Sequence, residues 1–149
     1  MRFMIKMGYI HATSITFQEA IREVVSRAKE KQGGYVVTPN VDHICLAETN
    51  VLLREAYASS ALALADGVPL LWLSRLMGNP LPHKISGSDF VEPLLRACAR
   101  EKLRVYFLGG QPGVGVRAKH ILEARIAGLT IVGVDAPLFG FEKNESQKR

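Results

Sequence analysis

The sequence predicts an α/β protein, a parallel sheet flanked by helices in a single domain. Short apolar runs of strand character alternate with stretches of helical spacing, the pattern of a parallel sheet with crossover helices. The strand-like runs also end in turns rich in Thr, Asn, Asp and Gly. Tyr35-Val36-Val37 leads into Thr38-Pro39-Asn40, Ala61 to Ala65 into Asp66-Gly67, and Val105 to Leu108 into Gly109-Gly110-Gln111-Pro112-Gly113. In a parallel sheet such carboxyl-end turns line one crevice, where these folds bind ligands.

The elements follow in order. Met1 to Ile10 reads as a strand of mixed character. Thr16-Phe17-Gln18-Glu19 has capping-box spacing. Phe17, Ala20, Ile21, Val24, Val25 and Ala28 then recur at helical intervals, so a helix runs to about Lys31 and Gln32-Gly33-Gly34 stops it. After the strand at Tyr35 to Val37, two short helices are expected at Val41 to Glu48 and Val51 to Ala58, the second capped by Asn50. Ala61 to Ala65 is a strand, Val68 to Met77 an apolar helix stopped by Gly78, and Asn79-Pro80-Leu81-Pro82 a loop. Ser88 or Asp89 caps a helix to about Lys102 whose inward face is Val91, Leu94, Leu95, Cys98 and Ala99. Arg104 to Leu108 is a strand, Gly113 to Arg125 a helix and Leu129 to Val134 the last strand. Residues 1–142 form the domain, and 143–149 a polar, disordered tail.

Composition narrows the function classes. A chain of 149 residues is long enough for one real core, and 48% hydrophobic with 22% charged residues excludes a disordered chain. The net charge of +5 fits nucleic acid, an anionic surface or a phosphorylated substrate. Nucleic acid is set aside, because basic residues are scattered among acids with no aromatic-basic strand motif. Cys45 and Cys98 lie far apart without metal-ligand spacing, and read as reduced core thiols of a cytosolic protein. Arg2 and Lys6 interrupt the amino-terminal stretch, which therefore lacks a signal-peptide core. No run reaches the ~18 apolar residues of a membrane span.

The loops carry the chemistry. Asp66, between an apolar strand and a glycine, can act as a general base at a sheet edge; position alone favours a second role, capping the helix that follows. Thr38 and Asn40 offer a hydroxyl and an amide for a sugar or nucleobase, while Asn40 is equally placed as a helix cap. Gly109-Gly110-Gln111 opens a helix whose amino end attracts phosphate. It is neither G-x-G-x-x-G nor a Walker sequence, which argues against a dehydrogenase or a Walker-type nucleotidase. Lys84 could neutralise a diphosphate, although a solvated loop lysine is commoner. His83 reads as surface, and Trp72 and Tyr57 as core.

Six motifs in order carry a resemblance: Thr38-Pro39-Asn40-Val41-Asp42, Ala65-Asp66-Gly67-Val68-Pro69, Gly78-Asn79-Pro80-Leu81-Pro82, Ser86-Gly87-Ser88-Asp89, Phe107 to Gly113, and Ile131-Val132-Gly133. From about residue 7 to about residue 142 the chain resembles the bacterial WecG/TagA/CpsF glycosyltransferases. That resemblance implies a Rossmann-like fold and an inverting transferase needing no metal or other cofactor. It would move an N-acetylmannosamine-type sugar from a UDP donor to undecaprenyl-diphosphate-linked N-acetylglucosamine. Such products feed teichoic acid and other surface polysaccharides, on the cytoplasmic side with peripheral attachment to the membrane. Asp66 then matches the catalytic base, Thr38 and Asn40 the donor-site polar residues, and Gly109, Gly110 and Gln111 the nucleotide-binding turn. Lys84 stands where the family usually has Arg, keeping the charge without the bidentate fork.

Family members continue past the Gly140-Phe141 region with a Pro-Lys-Gln-Glu segment and an Arg- and aromatic-rich portion, whereas this sequence ends at Arg149. A truncated sugar-nucleotide-binding module without turnover is therefore the alternative function. Sheet edges and apolar patches left bare by the missing portion predict self-association into a homo-oligomer.

Overall fold

The computed structural model describes residues 4–138 and Gly140. The strand residues predicted at 1–3 and the tail predicted at 143–149 lie outside them. The chain is α/β and divides into two compact units, residues 1–94 and 95–149, each described by itself.

The first unit opens with a hairpin, a departure from the single strand expected over Met1 to Ile10. Strand β1 (Met4–Met7) pairs antiparallel with β2 (Ile10–Thr13), Met7 opposite Ile10. The burial pattern explains the turn. Ile5 and Met7 point inward, then Ile10 and Ala12, so the alternation changes phase across Gly8-Tyr9.

Helix α1 (Phe17–Lys29) begins as predicted. The Glu19 backbone N–H donates to Thr16 Oγ1 at 3.4 Å, and the Thr16 N–H donates to Glu19 Oε2 at 2.9 Å. Thr16→Ala is expected to cost about 1 kcal/mol, read as a lower urea midpoint at unchanged slope.

Strands β3 (Val36–Val37) and β4 (Leu62–Ala63) pair in parallel. Backbone bonds carry the pairing past both ends of this short ladder. Ala61 N donates to Tyr35 O at 2.9 Å, Leu64 N to Val37 O at 2.8 Å and Asp66 N to Pro39 O at 2.8 Å. The Ala61 to Ala65 run thus lies along its neighbour as read, and Leu62 to Ala65 are all buried. Between these strands stand α2 (Val41–Ala47) and α3 (Val51–Ala58), capped by Asn40 and Asn50. Helix α4 (Val68–Leu76) follows β4.

Among the described residues, apolar clusters hold this unit. Ile5, Met7, Ala12, Ala65, Leu70 and Leu81 form one; Ile10, Ala47, Tyr57 and Ala63 form another, with Ile44 packed against both. Tyr57 is core, as expected. Trp72 is not: it is 64% exposed, because α4 turns Leu70 and Ser74 inward and leaves Trp72 on the outer side. Cys45 is also exposed, one helical step from the inward Ile44, and Cys98 is half-buried. Burial raises the Cys98 thiol pKa. Both thiols are free, but neither is the fully buried core residue expected.

Helix α5 (Gly87–Arg100) starts before the expected Ser88 or Asp89 cap, directly after Ser86. The boundary between the units falls within it, beside Pro93, which supplies no backbone N–H to the helix ladder.

In the second unit β5 (Arg104–Leu108) pairs in parallel with β6 (Thr130–Asp135), linked by α6 (Val114–Arg125). Leu95, Ala99, Ile126, Leu129 and Ile131 form its core. Side chains of α6 engage the β6 backbone: Ile131 N donates to Glu123 Oε1 at 2.8 Å, and Lys119 Nζ donates to Ile131 O at 2.6 Å.

Candidate functional site

Three loops of the first unit meet at the carboxyl ends of β3 and β4. Besides the Asp66 N to Pro39 O bond, Ile85 N donates to Ala65 O at 2.8 Å, drawing the 82–86 segment alongside the end of β4. A Cβ placed on Gly87 would lie 3.8 Å from Thr38 Cγ2, so the start of α5 closes back onto the first loop. Each loop is thereby tied to the other two. Thr38, Asn40, Asp66 and Lys84 share one edge of this unit; the apolar runs predicted this for the turns carrying Thr38, Asn40 and Asp66, and the Lys84 segment joins them.

The second role considered for Asp66 is not realised. The residue capping α4 is Gly67, at φ 121, and no side chain bonds the first turn. A left-handed φ of that size suits glycine and excludes most other residues. Asp66 is half-buried, and its carboxylate has no hydrogen-bond partner among the described residues. A carboxylate near apolar Ala65 and not engaged as a cap can accept a proton from a ligand.

Asn40 fills the cap role that the sequence left open to it. Its Oδ1 accepts from His43 N at 3.1 Å as the α2 cap, which leaves its amino group for a ligand. Three hydrogen bonds fix the short α2 and so aim Asn40. Tyr57 Oη and His43 Nδ1 are 3.0 Å apart, and Arg54 donates to the carbonyls of Ala47 and Glu48 at the helix end. Burial raises the Tyr57 pKa, keeping the phenol protonated as a hydrogen-bonding partner.

Ser86 and Asp89, named in the sequence as part of a motif, make contacts with each other and with Lys84 that the sequence reading does not include. Ser86 Oγ donates to Asp89 Oδ2 at 2.5 Å, and Lys84 Nζ lies 3.4 Å from the same oxygen. The Ser86 hydrogen bond, then Lys84, hold the Asp89 carboxyl below its ordinary pKa. The Ser-x-x-Asp spacing is the available signal, and the helix starts at Gly87, ahead of the expected Ser88 or Asp89 cap. Lys84 therefore carries its charge beside an anion, in an exposed pair.

In the second unit Gly109, Gly110 and Gln111 join β5 to α6. Gly109 N donates to Asp135 O at 2.8 Å, which extends the parallel pairing by one residue. Gly109 and Gly110 have φ of 103 and 81, and nothing lies within 4 Å of where their Cβ atoms would stand. The turn is open, and its backbone can be approached closely. Tyr106 Oη donates to Asp135 Oδ2 across the strand ends, which raises the Tyr106 pKa. The Tyr106 ring lies on Gly133, where a Cβ would come within 2.2 Å of Cε2. Gly133 belongs to the last motif read from the sequence, and the contact gives it a packing role.

Clefts among the described residues also lie elsewhere in the first unit. One, of about 370 Å³, is bordered by Val24, Arg27, Gly33, Gly34, Tyr35 and Ala61, at the opposite ends of β3 and β4. Another, of about 520 Å³, runs between Met4-Ile5-Lys6 and Met77 to Pro80.

Over residues 5–148 the sequence matches the glycosyl transferase WecG/TagA/CpsF family. The chain belongs to this family. Among individual WecG/TagA/CpsF-like relatives, it is similar to an N-acetylglucosaminyldiphosphoundecaprenol N-acetyl-beta-D-mannosaminyltransferase of Bacillus spizizenii. The two are 30% identical over 97 residues, 65% of this chain and 35% of the relative. A Staphylococcus aureus protein of the same name is 26% identical over 91 residues, 61% of this chain and 36% of the relative. The chain thus spans about a third of the length of the curated relatives it matches. Among the described residues, no helix of this WecG/TagA/CpsF family member is long and apolar enough to cross a membrane.

Proposed function

We propose that the chain is an inverting glycosyltransferase moving an N-acetylmannosamine-type sugar from a UDP donor to undecaprenyl-diphosphate-linked N-acetylglucosamine, working peripherally at the cytoplasmic membrane face. The relatives' names support the sugar and the acceptor. The observation that carries the chemistry is the meeting of three loops around an Asp66 carboxylate that caps no helix.

The reaction then needs few parts. An acceptor hydroxyl attacks the anomeric carbon from the face opposite UDP, a new C–O bond forms, and the bond to the diphosphate breaks. UDP leaves with the bonding electrons, and Asp66 takes the hydroxyl proton. Thr38 and the free amino group of Asn40 hold the donor. Gly110 and Gln111 serve the nucleotide with backbone N–H groups, which suit a phosphate oxygen at a helix start, while Gly109, whose own N–H is bonded to Asp135 O, lets the turn be approached closely. Lys84 adds positive charge for the diphosphate, shared with Asp89.

Incubation of the chain with UDP-N-acetylmannosamine and a short-chain lipid diphosphate of N-acetylglucosamine tests this reading. The expected result is a disaccharide lipid with inverted anomeric configuration and one UDP released per linkage. Bound UDP with no product would instead establish a binding module without turnover.

A further inference from the structure

The cleft at the far ends of β3 and β4 has the make-up of a binding site of its own. The last turn of α1, the Gly33-Gly34 turn and Ala61 border about 370 Å³, within the size range of small-molecule sites. Its lining falls into two parts. Val24, Ala28, Val36 and Ala61 are apolar, whereas Arg27 and Lys31, four residues apart on one side of α1 and its end, bring positive charge. No acidic side chain lines it among the described residues.

The helix end does not use up these cations. Lys31 N donates to Ala28 O at 3.4 Å and Gln32 N to Arg27 O at 3.0 Å, a Schellman closure that satisfies last-turn carbonyls from the backbone. Arg27 is half-buried, its Nε donating to Glu23 Oε1 at 2.8 Å and its Nη1 to Gly33 O at 3.4 Å. Those bonds fix the guanidinium and leave Nη2 without a partner among the described residues. The Lys31 ammonium pairs with no carboxylate among them either. Lys31 also stands at φ 56, a position in which this closure favours glycine.

Glycine keeps the space between the two parts open. A Cβ on Gly34 would stand 3.1 Å from Ala61 Cβ and 3.5 Å from Arg27 Nη1, filling that gap. Nothing lies within 4 Å of a Cβ on Gly33, and neither glycine N–H donates to an acceptor among the described residues. Tyr35, also at the border, is held in place. Its Oη donates to Ala56 O at 2.5 Å and lies 2.8 Å from Ser59 Oγ.

The donor set selects the ligand. A guanidinium, an ammonium and open glycine N–H groups suit a phosphate, which brings up to two charges and three acceptor oxygens. The rest of the lining is unsuited to a sugar, since no Asn, Gln, Asp, Ser or Thr side chain borders the cleft to meet its hydroxyls. We propose that this cleft binds a phosphate monoester with a compact apolar body, the phosphate at Arg27 and Lys31 and the body against Val24, Val36 and Ala61. Its occupation does not depend on the transfer reaction, so either can fail without the other.

Phenyl phosphate is the probe, added to the labelled chain while backbone amide resonances are followed. The expected result is saturable shifts at Lys31, Gly33, Gly34 and Ala61, with Thr38, Asn40 and Asp66 unmoved. Inorganic phosphate and phenol, the two halves of the probe, should each bind about tenfold more weakly or less. Lys31→Gly should weaken phenyl phosphate binding roughly tenfold. Its melting temperature should hold or rise, because glycine suits φ 56. Arg27→Gln should weaken binding as well, and Lys31→Gly decides the point if that variant does not fold. Excess UDP should leave the probe in place. Absence of saturable shifts would overturn the proposal, as would unchanged affinity in Lys31→Gly. Inorganic phosphate binding as tightly as phenyl phosphate, or displacement of the probe by UDP, would overturn it too.

Discussion

Asp66→Asn is expected to reduce sugar transfer by about 10²–10⁴-fold, the usual effect of losing a positioned general base. The amide keeps the shape of the side chain but cannot take the acceptor proton. UDP affinity should be almost unchanged, because the carboxylate addresses the acceptor hydroxyl. The melting temperature should hold as well, since Asp66 caps nothing and its backbone bond to Pro39 survives the change. Initial rates of disaccharide formation, UDP titrations and melting curves on the two proteins check all three. Retained turnover would remove Asp66 from the chemistry, and a large fall in melting temperature would give it a structural role.

Leu70→Ala is expected to destabilise the fold by about 2–5 kcal/mol, the range for emptying a packed leucine site. Leu70 is 1% exposed and touches a cluster that includes Ala65, the residue before Asp66. Its loss therefore acts on two levels: it leaves a cavity under α4 and loosens the backbone that presents the carboxylate. Urea denaturation followed by circular dichroism measures the first, and the transfer rate in the absence of urea measures the second. Leu76→Ala, one and a half turns along the same helix but 86% exposed, should move the midpoint by little. An equal effect of both substitutions would mean that α4 buries a different face.

The contrast between those two leucines shows how far the sequence could be read. Where local chemistry decides, it was legible. Thr16 and Glu19 cap α1 reciprocally, Asn40 and Asn50 start their helices, and the turns after Val37 and Ala65 meet at one edge. Where orientation decides, it was not. Helix α4 carries apolar residues on both its faces and only Arg75 as a charge, so its sequence sets no inner side for Trp72, which is exposed. Cys45 was misplaced for a related reason, because a two-turn helix offers too few positions to fix its buried side. At the amino terminus, the phase change from Ile5 and Met7 to Ile10 and Ala12 was present in the residues, but Met1 to Ile10 was read as unbroken. The Ser86, Lys84 and Asp89 contacts needed the α5 start to within two residues, finer than capping signals resolve.

The carboxyl-end loops of β3 and β4 are proposed as a sugar-nucleotide site. Adding UDP to isotopically labelled protein and following backbone amide resonances tests it most directly. Saturable shifts are expected at Thr38, Asn40, Asp66 and Gly67, with shifts also at Gly109 and Gly110 of the second unit. Shifts confined to Gly33, Gly34, Tyr35 and Ala61, at the opposite ends of the same strands, would contradict it.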